Sequence, residues 1–202
     1  MKRIILIVAT ILLTVACGKD EDEPKTPTVN NEPFTFLKIG NEWEYGVYNS
    51  GGELISTYKY KLVLEENGYF YVERTPAYEL VDLTLWWRTD DNAWHQNVHE
   101  HLNGNDGIPY ITSYIILPKK CYVGQKFNRF SLDSEEGLEI VSVSETVIVP
   151  AGIFHNCIKV ISRGAWWEYN YFWYHKDYGI IMTETHGSIG GSTNEKLIST
   201  NF

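Results

Sequence analysis

The chain has 202 residues, 44% of them hydrophobic and 21% charged, which excludes intrinsic disorder and makes one domain the expectation. Seventeen Lys and Arg stand against 26 Asp and Glu, a net charge of −9, which excludes a polyphosphate partner such as nucleic acid. Seven Trp, fourteen Tyr and eight Phe lean the composition towards a β-rich fold.

The first 16 residues read as a signal peptide. Lys2 and Arg3 supply a positive start and residues 4–15 an apolar run too short to span a bilayer. Thr14-Val15-Ala16-Cys17-Gly18 follows and resembles a bacterial lipobox, with Thr where Leu is commonest. That resemblance implies cleavage before Cys17, a diacylglycerol thioether on its sulfur and an acylated amino group. Several acyl chains at about 0.8 kcal/mol per buried CH₂ make a stable anchor. Residues 17–33 read as an acylated cysteine followed by an acidic, Pro/Thr/Asn-rich flexible tether, and residues 34–202 as a single all-β domain. Without Lys2 and Arg3, 15 basic side chains face 26 acidic ones, a charge of −11, so the lipid and not electrostatics must hold the protein to the membrane. Lys19-Asp20-Glu21-Asp22-Glu23 is similar to the export signal of Bacteroidetes lipoproteins, which implies the outer face of the outer membrane.

Period-two alternation then runs along the chain. Residues 41–48 predict a strand closed by Asn49-Ser50-Gly51-Gly52. Over residues 53–64 the even positions Leu54, Tyr58, Tyr60, Leu62 and Leu64 are apolar and the odd neighbours Glu53, Thr57, Lys59 and Lys61 polar, predicting one buried face. Asn67-Gly68 predicts a tight hairpin turn into residues 69–74, since both tolerate positive φ. Further strands are expected over 78–89, 137–149, 153–163, 165–175, 179–185 and 195–200, with a turn at Pro150-Ala151-Gly152. No stretch keeps a capped helical stripe. The fold class is all-β: a curved antiparallel, half-barrel-like meander with few or no helices.

Several short motifs lie on these strands. Gly40-Asn41-x-Trp43-x-Tyr45, then Pro150-Ala151-Gly152-x-Phe154-x-Asn156-Cys157, Trp173-Tyr174 and Tyr178-Gly179-Ile180-Ile181 together resemble small Bacteroidetes surface lipoproteins, a family of no settled activity. The resemblance implies a curved sheet broadly like the half-barrel of periplasmic lipoprotein carriers, and it transfers no catalytic residue.

Three constellations could carry chemistry. His95, His99 and His101 fall on alternate positions and would share one face of an extended strand, the geometry of a weak metal candidate. A polar loop, residues 103–107, follows at once, and an exposed histidine cluster is the favoured reading; no metal or cofactor is expected. The doublets Trp86-Trp87 and Trp166-Trp167 must send one ring to each face of their strands. Tyr169, Tyr171 and Trp173 share the face of Trp167. Such a stripe usually belongs to a core, but these seven aromatics could instead form a concave surface that stacks sugar rings or shelters an acyl chain. Cys121 and Cys157 remain after Cys17, a count that permits a disulfide, although Cys157 sits in an apolar strand and suits a buried thiol.

Hydrolase, metalloprotease, phosphate-loop and Cys-x-x-Cys signatures are missing, and an enzyme is not expected. The expectation is a monomeric, lipid-anchored outer-membrane protein exposed at the cell surface. Its non-catalytic domain would bind a ligand, a glycan first, or a partner. The alternative is a lipid or acyl-chain carrier with a half-barrel cavity.

Overall fold

The computed structural model describes residues 28–76, 83–100, 110–132, 137–163, 169–187 and 191–202, and these form strands and turns with no helix among them. β1 (Val29–Asn30) is followed by a first antiparallel meander of β2 (Glu42–Tyr48), β3 (Leu54–Glu66), β4 (Tyr69–Thr75), β5 (Leu83–Thr89), β6 (Ala93–Glu100) and β7 (Tyr110–Pro118). After β8 (Cys121–Tyr122) a second meander runs through β9 (Lys126–Phe127), β10 (Leu138–Val149), β11 (Gly152–Arg163), β12 (Tyr169–His175), β13 (Gly179–Gly187) and β14 (Gly191–Thr200). β14 pairs with β2 and fuses the two into one twelve-stranded sheet, ordered β7-β6-β5-β4-β3-β2-β14-β13-β12-β11-β10-β9. The all-β, half-barrel-like class read from the sequence is the class observed.

Chain connectivity forces the curl. β7 and β9 are the two outermost strands, yet only the segment from Pro118 to Lys126 joins them. Eight steps reach at most about 28 Å, whereas twelve strands laid flat at about 4.8 Å spacing would extend about 53 Å. The sheet therefore rolls until its edges face each other. At the seam the Ile115 N–H donates to Arg129 O at 2.7 Å, and the Gly124 N–H and Ile140 N–H bond across to Ile140 O and Gln125 O at 2.8 and 2.9 Å. Among the described residues β7 and β9 share no ladder, so the roll stops short of a closed barrel. β1, which lies inside the segment expected as tether, pairs with β8 at this seam.

Alternation places Trp43, Tyr45, Tyr58, Leu62, Val72, Leu85, Trp87, Trp94, Ile158, Val160, Tyr174 and Leu197 in the core. Phe36 plugs one end, its ring 4.7 Å from Trp94, 6.1 Å from Trp43 and 6.4 Å from Trp87. All three contacts are edge-to-face, each worth about 0.5–1.5 kcal/mol beyond the area it buries. Asn67 and Gly68 have φ of 54° and 79°, the conformation required at both centres of a two-residue hairpin turn.

Two departures from the predicted pattern have local causes. Leu54 and Leu64 are half exposed rather than buried, because register shifts at Val47/Tyr48 opposite Leu54 and at Leu62/Leu64 turn both side chains to the outer face. β6 and β7 form a strand pair that the sequence pattern does not announce; in β6 the inward Gln96 and the buried Asn97 break the alternation.

Candidate functional site

The inner face changes character along the strands. In β6 the core residue Trp94 is followed two positions on by Gln96, and in β12 Tyr174 is preceded by Phe172 and then Asn170. Steps of two stay on one face, so these residues continue the wall above the aromatic plug. β11 sets Ser162 opposite Asn170, and β7 sets Tyr114 opposite Gln96. Across the rolled seam they enclose a cavity of about 330 Å³, with Leu138 and Arg129 completing it on the β10 side. That volume is at the lower end of the range of small-ligand sites, about 300–1,000 Å³.

Aromatic and polar groups alternate in this wall. The Trp87 indole donates to Gln96 Oε1 at 3.1 Å, which leaves the Gln96 amide nitrogen to donate elsewhere. Asn170 Oδ1 is buried and accepts no hydrogen bond. An orphaned buried acceptor costs about 1–3 kcal/mol, so this atom gains most from a donor supplied by a ligand. Burial raises the Tyr174 hydroxyl well above the usual tyrosine range, with Arg129 acting in the opposite sense, and keeps it a neutral donor and acceptor. The Arg129 guanidinium stands at the mouth, 5.6 Å from the centre of the Tyr114 ring. Among the described lining residues it is the one charged side chain, and no carboxylate or histidine joins it.

The aromatics singled out by sequence lie elsewhere. Trp87 faces the core and is 2% exposed, while Trp86 turns to the outer face against Tyr71, ring centres 5.4 Å apart. Tyr169, Tyr171 and Trp173 lie on the outer face of β12, opposite the cavity residues Asn170, Phe172 and Tyr174. Their ring faces are largely taken. Lys159 Nζ sits 4.6 Å over Tyr171 and 4.7 Å over Trp173, and His186 stacks on Tyr169 at 4.9 Å. Trp173 is only 5% exposed and Tyr169 39%. Trp166, Trp167, His101 and Cys17 lie outside the described residues.

His95 Nε2 lies 2.9 Å from Asp90 Oδ2, and burial, with Arg88 adding and Asp90 opposing, lowers its basicity. For His99 only the backbone position in β6 is described, and no cluster of three metal-ligating groups occurs among the described residues. Cys121 and Cys157 are separate buried thiols that donate to Pro118 O and Phe154 O. Burial pushes Cys121 up to about 11 and Cys157 to about 12. The cavity residues Gln96, Tyr114, Arg129, Ser162 and Asn170 went unmarked in the sequence. Their one available signal is polar residues at inward positions of apolar strands.

The class defined by this geometry is an all-β half-barrel with a part-polar cavity at its seam. No protein-family model and no curated protein matches the chain. Two solved structures are similar to it. One is a lipoprotein candidate from Parabacteroides distasonis, 15% identical, with a TM-score of 0.47, the match covering 83% of this chain and 98% of that one. The other is an exported-protein candidate with a YmcC-like fold from Bacteroides fragilis, also 15% identical with a TM-score of 0.47, covering 84% of this chain and 99% of that one.

Proposed function

We propose that the chain is a surface-exposed outer-membrane lipoprotein, anchored through acylated Cys17, whose β domain binds a saccharide without cleaving it. The observation that carries the binding reading is the seam cavity, where Phe172 and Tyr174 stand beside the amide of Gln96, the hydroxyl of Ser162 and the unpaired Asn170 Oδ1. Sugar rings present apolar C–H faces to aromatics and hydroxyls that both donate and accept, which answers both kinds of wall. An acyl chain suits the site less well, because it would strip water from Asn170, Ser162 and Gln96 and return no hydrogen bond.

A glycan array probed with the full-length chain in detergent tests the reading, with Asn170→Leu as control. Saturable binding that weakens about tenfold or more in Asn170→Leu is expected. Binding of no saccharide, together with native mass spectra showing co-purified lipid, would overturn it in favour of the carrier. The anchor is tested separately: Cys17→Ala should abolish incorporation of labelled palmitate and release the protein from the membrane. Retained labelling, or protection of the wild-type domain from protease in intact cells, would contradict the anchor or its surface exposure respectively.

A further inference from the structure

The chain is strongly acidic, yet among the described residues that line its seam cavity the one charged side chain is the cation Arg129. Arg129 is exposed and has no carboxylate partner among the described residues; its guanidinium lies over the Tyr114 ring, and its main-chain carbonyl accepts from the Ile115 N–H. Arginine on a chain with acidic residues in excess ordinarily finds an ion pair; Arg88, for instance, reaches Asp90 Oδ2 at 3.1 Å. Here the backbone of Arg129 is fixed to β7 through the Ile115 bond, its guanidinium lies against the Tyr114 ring at the rim of a concave site, and no described residue claims its fork of donors. Further in, neutral groups take over: Ser162 and the orphaned Asn170 acceptor.

From this juxtaposition we infer that the cavity selects acidic saccharides, with Arg129 receiving the carboxylate of a uronic acid while Asn170 Oδ1 accepts a hydroxyl from the ring. One cation balances one negative charge, so a phosphate dianion would be left half compensated. The planar guanidinium matches a planar carboxylate with two parallel hydrogen bonds, a fit that tetrahedral sulfate makes less well. The chain's net charge of −9 disfavours polyanions in general, so an acidic sugar needs a local cation such as Arg129. Arg129 is a specificity group under this inference, and the inference rests on the saccharide-binding reading above.

The test compares calorimetric titrations of the full-length chain in detergent with three oligosaccharides of equal length: neutral, uronic and sulfated. The uronic form should bind about 10- to 100-fold tighter than the neutral one, the range of a charge-assisted hydrogen bond. Arg129→Gln should erase that preference by weakening the uronic form more than the neutral one, and Asn170→Asp should likewise weaken the uronic form more than the neutral one. Equal affinity for neutral and uronic sugars, or a preference that survives Arg129→Gln, would overturn the inference and leave saccharide binding standing. Tighter binding of the sulfated sugar would overturn the carboxylate assignment. Binding of none of the three would overturn the saccharide reading and this inference with it.

Discussion

Lys176 shows how one side chain can fasten the roll of the sheet. It is 1% exposed, and its ammonium donates to Lys119 O at 2.7 Å and Pro118 O at 3.3 Å while lying 3.9 Å over the Phe34 ring. The turn after β12 is thereby tied to the end of β7, on the opposite side of the seam, and to the segment that carries the Phe36 plug. Burial lowers its basicity to about 8 from the ordinary 10.5, with Cys121 and Glu32 resisting and Lys119 assisting. Between those two values the unfolded chain still holds a proton that the folded chain has released. Stability therefore rises with pH across that window, and this contribution is lost as pH falls through about 8. Urea unfolding at pH 7.5, 9 and 10 should show that rise in the wild type relative to Lys176→Met, which lacks the titrating group; parallel pH profiles would contradict it. Sequence offered no sign of this role, because a lysine beside Asp177 in a turn looks like any solvated charge.

At the scale of elements, the hairpins were legible and the bulges were not. Asn67-Gly68 announces the β3–β4 turn, and its left-handed φ values follow from residues that tolerate them. Gly68→Ala should therefore lower stability by about 1 kcal/mol without changing the fold, measured by chemical denaturation against Gly51→Ala in the neighbouring turn, where φ is not positive. An unchanged midpoint would show that the turn does not hold register. The bulges that turn Leu54 and Leu64 outward leave no mark in a strict alternation of apolar and polar residues. β6 failed for a more informative reason. Gln96 and Asn97 are polar, one lining the cavity and the other buried on the opposite face, so neither face of that strand reads as apolar. Ser162 and Asn170 interrupt β11 and β12 in the same way. The pattern broke where the core gives way to the cavity, as expected when a site departs from the rule that its surroundings obey.

For the whole molecule, connectivity and composition act together. Two six-stranded meanders joined through β2 and β14 have their free edges linked by a short segment, so the sheet must roll and must leave a seam. The fold class could be read from alternation alone, but the position of the seam could not, since it depends on β2–β14 pairing between residues more than 140 positions apart. The aromatic surplus that suggested an exposed platform is spent in three places: a T-shaped cluster around Phe36, an outer stripe under Lys159 and His186, and the cavity wall. The last of these carries the functional account.

The most direct test of that account is where a saccharide lands. Backbone amide shifts of the labelled protein, titrated with an array-positive saccharide, should move at Gln96, Ser162, Asn170 and Phe172 and stay still at Trp86 and His186. Shifts confined to the outer face around Trp86, Tyr169 and His186, with the cavity amides unmoved, would contradict it.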